Sequence, residues 1–175
     1  RPIAAPEGLD VRPTSDRARE ALFNILEHRE GRPLKGARVL DVFAGSGALG
    51  IEALSRGAAS CIFAEQDPAA IRALRSNLSN LQATPQSDVR AVSVLSLGPA
   101  KAPLDLILLD PPYRSGAGEV ALDKLQRLGW IGAATWISLE TAGDEVPRVK
   151  GLEIDAERKV GKARLTLFRM PDATG

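Results

Sequence analysis

The stretch VLDVFAGSGALGIEALSRGA, residues 39–58, decides the fold because a strand, a glycine loop and a helix follow one another within it. Residues 38–42 form a short apolar run that predicts a strand. The loop that follows has the pattern Gly-x-Gly-x-x-Gly at residues 45–50, and the helix after it is predicted to end at Gly57. This succession is typical of the first unit of an open α/β sheet.

The rest of the chain continues the alternation of strands and helices. Further elements are predicted as a helix from Asp16 to about His28, strands at 60–64, 89–92, 104–109 and 135–139, and helices opened by Asp67-Pro68 and at 117–128. In the last helix, the residues predicted to face inward are Val120, Leu122, Leu125 and Leu128. Strands separated by helices of this length predict parallel pairing.

The end of the chain breaks the pattern. Strands predicted at 152–157 and 164–169 have no helix between them and are joined through Gly161, so we expect an antiparallel pair. The predicted fold is therefore α/β and Rossmann-like, with a mostly parallel sheet and a C-terminal antiparallel hairpin. In such a sheet, ligands bind at the carboxyl ends of the strands.

Composition predicts one globular domain over residues 1–175, of which 44% are hydrophobic. A formal net charge of +1 gives little of the electrostatic footprint of a strongly basic nucleic-acid binder. One cysteine excludes a disulfide within the chain, and neither a signal-peptide pattern nor an apolar run of about 20 residues is present, which favours a reducing cytoplasm.

Residues 1–15 are predicted to be an extended N-terminal arm. Because the chain begins with Arg1 rather than methionine, we expect this arm to be truncated.

Asp110-Pro111-Pro112-Tyr113 follows the apolar run at 104–109 and is called the acceptor segment below. Two prolines remove two backbone donors and fix φ, so the segment is rigid and does not extend the sheet. It presents a carboxylate, prolyl carbonyls and an aromatic ring, which suit a planar group that carries an amine. The simpler alternative is a turn that ends the strand, with Asp110 as a local acceptor.

Two acids near the glycine loop indicate which ligand would lie beside this segment. Asp41 precedes the loop, where a pyrophosphate would gain nothing from an anion but the amino and sulfonium groups of S-adenosyl-L-methionine would. Glu65, at the tip of the second strand, is placed to accept hydrogen bonds from ribose hydroxyls. A dinucleotide such as NAD would also use Glu65 but does not need Asp41, so we favour the methyl donor. We interpret Asp67 as a helix cap rather than a ligand contact.

The remaining residues with reactive or aromatic side chains predict structural roles. His28 is the only histidine, so neither a catalytic triad nor a histidine metal site is expected. Cys61, within an apolar stretch, is expected in the core, and so are Trp130 and Trp136.

Basic residues cluster at the first predicted helix. Arg12, Arg17 and Arg19 either form a solvated face balanced by Asp16 and Glu20 or contact phosphates. The sequence leaves both interpretations open.

Four strings together resemble a known family: RPTSDRAREALFNIL (12–26), VLDVFAGSGALGIEALSRGA (39–58), FAEQD (63–67) and LDLILLDPPY (104–113). The chain resembles the bacterial 16S ribosomal RNA guanine-N2 methyltransferases of the RsmD type. The resemblance implies a class I enzyme that uses S-adenosyl-L-methionine to methylate the exocyclic N2 amine of a guanine in 16S rRNA of the 30S subunit. From the residues themselves we expect no metal and no membrane association, and we expect a monomer.

The same resemblance assigns roles to residues of this chain. The acceptor segment would be catalytic. The substrate would contact four residues of the first of these segments (12–26): Arg12, Pro13, Thr14 and Arg17. The cofactor would lie against Asp41, Phe43, Gly45, Gly47, Glu65, Gln66 and Ser93. Ser93 stands where members usually carry Asp or Asn against the adenine, and a serine hydroxyl offers one hydrogen bond there.

Three alternatives stay open on the sequence. The tetrapeptide DPPY is shared with adenine-N6 methyltransferases of DNA or RNA, although a chain of 175 residues has no separate target-recognition domain. A non-catalytic RNA-binding assembly factor with a retained cofactor fold is the second alternative, and a nicotinamide dehydrogenase is the third.

Overall fold

The computed structural model describes residues 16–172, so predictions for residues 1–15 lie outside it. Within this range the helices are α1 (Asp16–Glu27), α2 (Ala48–Ser55), α3 (Pro68–Asn80) and α4 (Ala117–Arg127). The strands are β1 (Arg38–Val42), β2 (Ser60–Ala64), β3 (Ser87–Arg90), β4 (Leu106–Leu109), β5 (Trp136–Ala142), β6 (Glu153–Val160) and β7 (Ala163–Arg169). None of these helices is long and apolar enough to cross a membrane.

The strands of the described chain form one seven-stranded sheet in the order β3-β2-β1-β4-β5-β7-β6. The first five are parallel to one another, whereas β7 is antiparallel to both β5 and β6. The chain starts in the middle at β1, runs outward to β3 and then returns to the other side of β1 as β4. The predicted α/β fold with a C-terminal antiparallel hairpin is confirmed, and its topological switch point lies between β1 and β4.

Helices cover both faces of the sheet, which explains the nearly continuous apolar runs of the central strands. Leu106 and Leu108 of β4 belong to one buried cluster together with α1, α2 and α3. Ile107 and Leu109 belong to a second cluster that contains the apolar face of α4. Successive residues of a strand point to opposite faces, so each face of β4 has its own core and the strand ends are left to carry polar groups.

Strand boundaries differ from the predictions at five strands: β4 begins at 106 rather than 104, β6 covers 153–160 rather than 152–157, β7 begins at 163 rather than 164, and the differences at β3 and β5 have a visible cause. β3 lies at Ser87–Arg90 rather than at 89–92, because the Val92 N–H donates to the Arg90 carbonyl and turns the chain away from the ladder. β5 runs to Ala142, beyond the predicted end at 139, because pairing with β7 continues through the polar residues Glu140 and Thr141. Tertiary pairing therefore extends a strand that the apolar pattern alone would end.

The prediction that Val120 faces inward is wrong, since its side chain is 56% exposed. Leu122 and Leu125, predicted with it, are both fully buried, and Leu128 is half-buried. Val120 precedes Leu122 by two positions, a rotation of about 200° around the helix, so the two cannot share a face.

Candidate active site

The glycine loop joins β1 to α2 at the carboxyl edge of the sheet. Gly47 has a φ of 91° at the N-cap of α2, and a Cβ added there would collide with the side chain of Leu74. Gly45 also has a positive φ, 56°, but a Cβ added there would meet nothing within 4 Å. The positive φ and the nearby Leu74 side chain therefore both favour glycine at 47, whereas Gly45 borders open space in which a ligand can approach the backbone.

Asp41 ties β1 to the first turn of α2. It is 1% exposed, and one carboxylate oxygen accepts a 3.0 Å hydrogen bond from the Gly50 N–H. Burial raises the pKa of Asp41 well above its usual value, the Gly50 hydrogen bond acts against this, and the charges of Asp110 and Glu65 raise the pKa further. A desolvated acid thus lies within electrostatic range of two others, and its assignment to the cofactor stays a prediction.

Glu65 links the tip of β2 to the glycine loop. Its Oε1 accepts a hydrogen bond of 2.8 Å from the Gly45 N–H, and its Oε2 accepts bonds of 2.9 Å from the N–H groups of Gln66 and Asp67. Three backbone donors therefore hold the carboxylate in place beside the open space at Gly45. Its assignment to the ribose stays a prediction, and so does the assignment of Gln66, which is exposed.

Asp67 opens α3 as predicted. Its side chain accepts a 2.9 Å hydrogen bond from the Ala70 N–H, and Pro68 occupies the first turn. The interpretation of Asp67 as a helix cap is confirmed.

The strand register explains why the acids meet. Val42 of β1 pairs with Ala64 of β2 on one side and with Leu109 of β4 on the other. Glu65 and Asp110 directly follow these partners, so they lie at the same edge on either side of β1. The edge is negatively charged and therefore suits a cationic ligand. Between residues 16 and 172, no group of three or more His, Cys, Asp or Glu is arranged to hold a metal ion.

The acceptor segment leaves β4 at this edge and turns toward α4. Asp110 is half-buried, Pro111 is buried and Pro112 is exposed. Beyond it, the Ser115 hydroxyl donates to the Pro112 carbonyl at 2.6 Å and accepts from the Ala117 N–H at 3.2 Å. The segment is thus fixed at both ends, by the strand before it and by the turn into the helix.

Tyr113 makes a contact that the sequence analysis missed. Its hydroxyl donates a 2.9 Å hydrogen bond to Oε2 of Glu140, which lies on β5 and is 3% exposed. The signal was available as a single charged residue within the otherwise uncharged strand Trp136–Ala142, but nothing in the sequence pairs it with a tyrosine 27 positions earlier. Glu140 therefore joins the candidate site from the neighbouring strand.

Two further residues assigned to the cofactor lie in the loops after the first and third strands. Phe43 is half-buried and has a φ of 61°, an uncommon conformation for a side-chain-bearing residue. Ser93 lies beyond the end of β3, where its hydroxyl accepts a 3.2 Å hydrogen bond from the Leu95 N–H. Both assignments stay predictions.

The residues assigned to the substrate lie at the start of α1 and before it. Arg12, Pro13 and Thr14 are outside the described residues, and Arg17 is exposed in the first turn of α1. Arg19 is 3.0 Å from Asp16 and 3.6 Å from Glu52, which accords with the solvated, charge-balanced interpretation for this one arginine.

Two of the three residues predicted in the core, Cys61 and Trp130, are buried there, whereas Trp136 is only half-buried. Cys61 is fully buried, and burial raises the pKa of its thiol well above the usual value. Trp130 is buried and donates its ring N–H to the Gly98 carbonyl at 3.0 Å. Trp136 is half-buried under the Arg169 guanidinium, which lies 4.1 Å from the ring centre, and His28 is exposed on α1.

The open sheet, the glycine loop and the acids at its switch point define a class I, Rossmann-like methyltransferase. A family model described as conserved hypothetical protein 95 matches residues 1–169 of this chain. The chain belongs to this family, which confirms the RsmD-type resemblance found in the sequence.

Known proteins of this kind are similar over most of the chain. Ribosomal RNA small subunit methyltransferase D of Escherichia coli strain K12 is 38% identical over 141 residues, which cover 81% of this chain and 69% of that protein. The protein of the same name from Haemophilus influenzae is 36% identical and covers 82% of this chain and 74% of its own length. The solved structure of the Escherichia coli protein yhhF superposes with a TM-score of 0.81 at 35% identity, over 96% of this chain and 91% of that one.

Proposed function

We propose that this protein transfers a methyl group from S-adenosyl-L-methionine to the exocyclic N2 amine of a guanine in 16S rRNA. The observation that carries the proposal is the convergence of Asp41, Glu65 and Asp110 at one sheet edge, beside an acceptor segment suited to an amine. The relatives named ribosomal RNA small subunit methyltransferase D supply the choice of substrate. The geometry of the site supports methyl transfer, and membership of the family supports guanine as the target base.

The loop and the acids fit this cofactor. Open space beside Gly45 lets a ligand approach the backbone, and Glu65 is held by backbone donors at the position proposed for the ribose. The carboxylates of Glu65 and Asp110, at the same edge as Asp41, complement an ammonium and a sulfonium group. Phe43, Gly47, Gln66 and Ser93 complete the proposed site. When bound, the cofactor supplies an electrophilic methyl group.

The acceptor segment is proposed to orient the target amine. Asp110 and the Pro111 carbonyl accept hydrogen bonds from its N–H groups, which directs the nitrogen lone pair and stabilises the positive charge that develops on it. Tyr113 packs its ring against the base. A paired or stacked guanine must leave its neighbours to reach this segment, a step that has precedent in base-modifying enzymes.

The remaining partner assignments belong to the same proposal. Arg12, Pro13, Thr14 and Arg17 are proposed to contact RNA, in a single domain that acts as a monomer. A 30S substrate would place the reaction in the bacterial cytoplasm.

Transfer of labelled methyl groups to purified 30S subunits that lack the modification tests this function. Asp110→Ala is expected to lower the rate by about 100-fold or more, because it removes an acceptor at the developing charge. Asp123→Ala is the matched control. Asp123 is an exposed acid on α4, and its carboxylate forms a surface ion pair of 3.0 Å with Arg127 of the same helix. Unchanged transfer by the Asp110 variant would contradict the role proposed for the acceptor segment.

Ligand binding separates the methyltransferase from the dehydrogenase alternative. Calorimetry is expected to show binding of S-adenosyl-L-homocysteine and none of NADH. Binding of NADH alone would overturn the cofactor assignment whatever the substrate is.

A further inference from the structure

We propose that Glu140 is a positioning residue that fixes the Tyr113 ring through the hydrogen bond from its hydroxyl. The inference rests on the proposed function, in which this ring packs against the target base. It assigns a role to an acid of β5 that lies outside the acceptor segment and outside the glycine loop.

The position of Glu140 in the sheet brings it to the acceptor segment. Leu139 of β5 pairs with Leu109 of β4, so Glu140 and Asp110 both lie one residue further along neighbouring strands. Glu140 is only 3% exposed, and its carboxylate oxygen is 2.9 Å from the Tyr113 hydroxyl oxygen. A buried carboxylate is unfavourable unless donors satisfy it, so its presence at this strand end calls for a partner such as the phenol.

The chemistry of the segment explains why the ring needs such a partner. Proline fixes the backbone φ at residues 111 and 112, which makes the backbone that leads to Tyr113 rigid, and the two side-chain torsions of Tyr113 then set the position and plane of its ring. A hydrogen bond at the far end of the ring fixes the position of the hydroxyl oxygen and thereby the first side-chain torsion, while the preference of the O–H bond for the ring plane restrains the second torsion more weakly. Because transfer requires in-line placement of the amine, an orientation set by Glu140 would affect the chemical step more than cofactor binding.

A set of four variants tests this role. Glu140→Ala removes the acceptor, Glu140→Gln keeps an acceptor oxygen of the same size, and Tyr113→Phe keeps the ring but removes the donor. Thr141→Val is the matched control, because Thr141 is the next residue of β5 and is 5% exposed but bonds to the Ala142 carbonyl instead.

The kinetic readout is kcat and KM for 30S subunits at saturating cofactor. Glu140→Ala and Tyr113→Phe are each expected to lower kcat by about tenfold, and the double variant no further than the single ones, because each change breaks the same hydrogen bond. Glu140→Gln and Thr141→Val are expected to stay within about threefold of the wild type. The dissociation constant for S-adenosyl-L-homocysteine should change by no more than about twofold.

A second readout is independent of the substrate. Tyr113 is the only tyrosine of the chain, so tyrosine labelled at its ε carbons gives an NMR signal from this ring alone and needs no assignment. Glu140→Ala is expected to shift and broaden this signal, whereas Glu140→Gln and Thr141→Val preserve it. If Glu140→Ala does not fold, Tyr113→Phe and Glu140→Gln still decide the kinetic comparison.

An unchanged tyrosine signal in folded Glu140→Ala, or additive losses in the double variant, would overturn the positioning role. Failure of the wild type to methylate 30S subunits would instead refute the proposed function and leave the NMR comparison interpretable.

Discussion

At the residue scale, Asp41 combines a buried carboxyl group with a place at the proposed cofactor site. Its pKa in the folded protein is raised, while in the unfolded chain an aspartate titrates near its ordinary value of 3.8. Above that value the unfolded chain ionises and the folded protein resists ionisation, so this group opposes folding increasingly as the pH rises from 3.8 to the raised folded pKa, and by a constant amount above it. Retention of such an acid accords with a binding role rather than a stabilising one.

Asp41→Asn is therefore expected to raise the free energy of unfolding at pH 7 above that of the wild type. Asparagine still accepts the hydrogen bond from the Gly50 N–H and carries no charge. The gain should vanish as the pH falls toward 3.8, which urea unfolding at several pH values measures. The same variant is expected to bind S-adenosyl-L-homocysteine about tenfold more weakly. Loss of stability at pH 7 would contradict this account of the buried acid.

Gly45 offers a test of the open space beside the loop. Gly45→Ala places a methyl group there, and its positive φ costs about 1–2 kcal/mol in unfolding free energy. Gly161→Ala is the matched control, because Gly161 has a φ of 58°, also has open space around it and lies in the hairpin turn between β6 and β7. Both variants should lose similar stability, but only Gly45→Ala should lose affinity for S-adenosyl-L-homocysteine in calorimetry. Equal affinity of the two variants would mean that no ligand approaches at Gly45.

At the scale of the elements, local patterns predict most of the fold and strand ends predict most of the candidate site. β1 and β2 have the predicted bounds, and the cap at Asp67 follows from local chemistry alone. The carboxyl ends of parallel strands share an edge of the sheet, so the sequence alone also predicts that Glu65 and Asp110 lie close together. What depends on long-range pairing was not predictable: the extension of β5 comes from β7.

The bond between Glu140 and Tyr113 escaped prediction for the same physical reason. A charged residue in a strand is a visible anomaly, but its partner is set by which strands become neighbours. β4 and β5 are neighbours because α4 returns the chain to the sheet edge. The sequence could therefore mark Glu140 as unusual without identifying its hydrogen-bond donor.

The face of α4 gives a prediction at this scale. Leu122→Ala should lower the free energy of unfolding by about 2–5 kcal/mol because it leaves a cavity in the core, while Val120→Ala should change it by less than about 0.5 kcal/mol. The two residues are 0% and 56% exposed. Urea unfolding of both variants measures the difference. A similar loss for Val120→Ala would contradict the orientation of α4 described above.

At the scale of the whole molecule, the sheet gathers acids from three distant parts of the chain at one edge, while the net charge stays at +1. With so little overall attraction to phosphate, docking on an rRNA substrate would depend on shape and on ribosomal proteins as much as on charge. A test with assembled 30S subunits therefore suits the proposed activity better than one with short RNA.

The acceptor segment is proposed to hold a guanine amine of the small-subunit RNA for methylation by the bound cofactor. The most direct measurement is mass spectrometry of the nucleosides from 30S subunits after reaction with the wild-type protein and labelled S-adenosyl-L-methionine. We expect labelled N2-methylguanosine as the product, at a stoichiometry of about one per subunit if a single base is flipped. Labelled N6-methyladenosine, or no labelled nucleoside from a protein that binds the cofactor, would contradict the account.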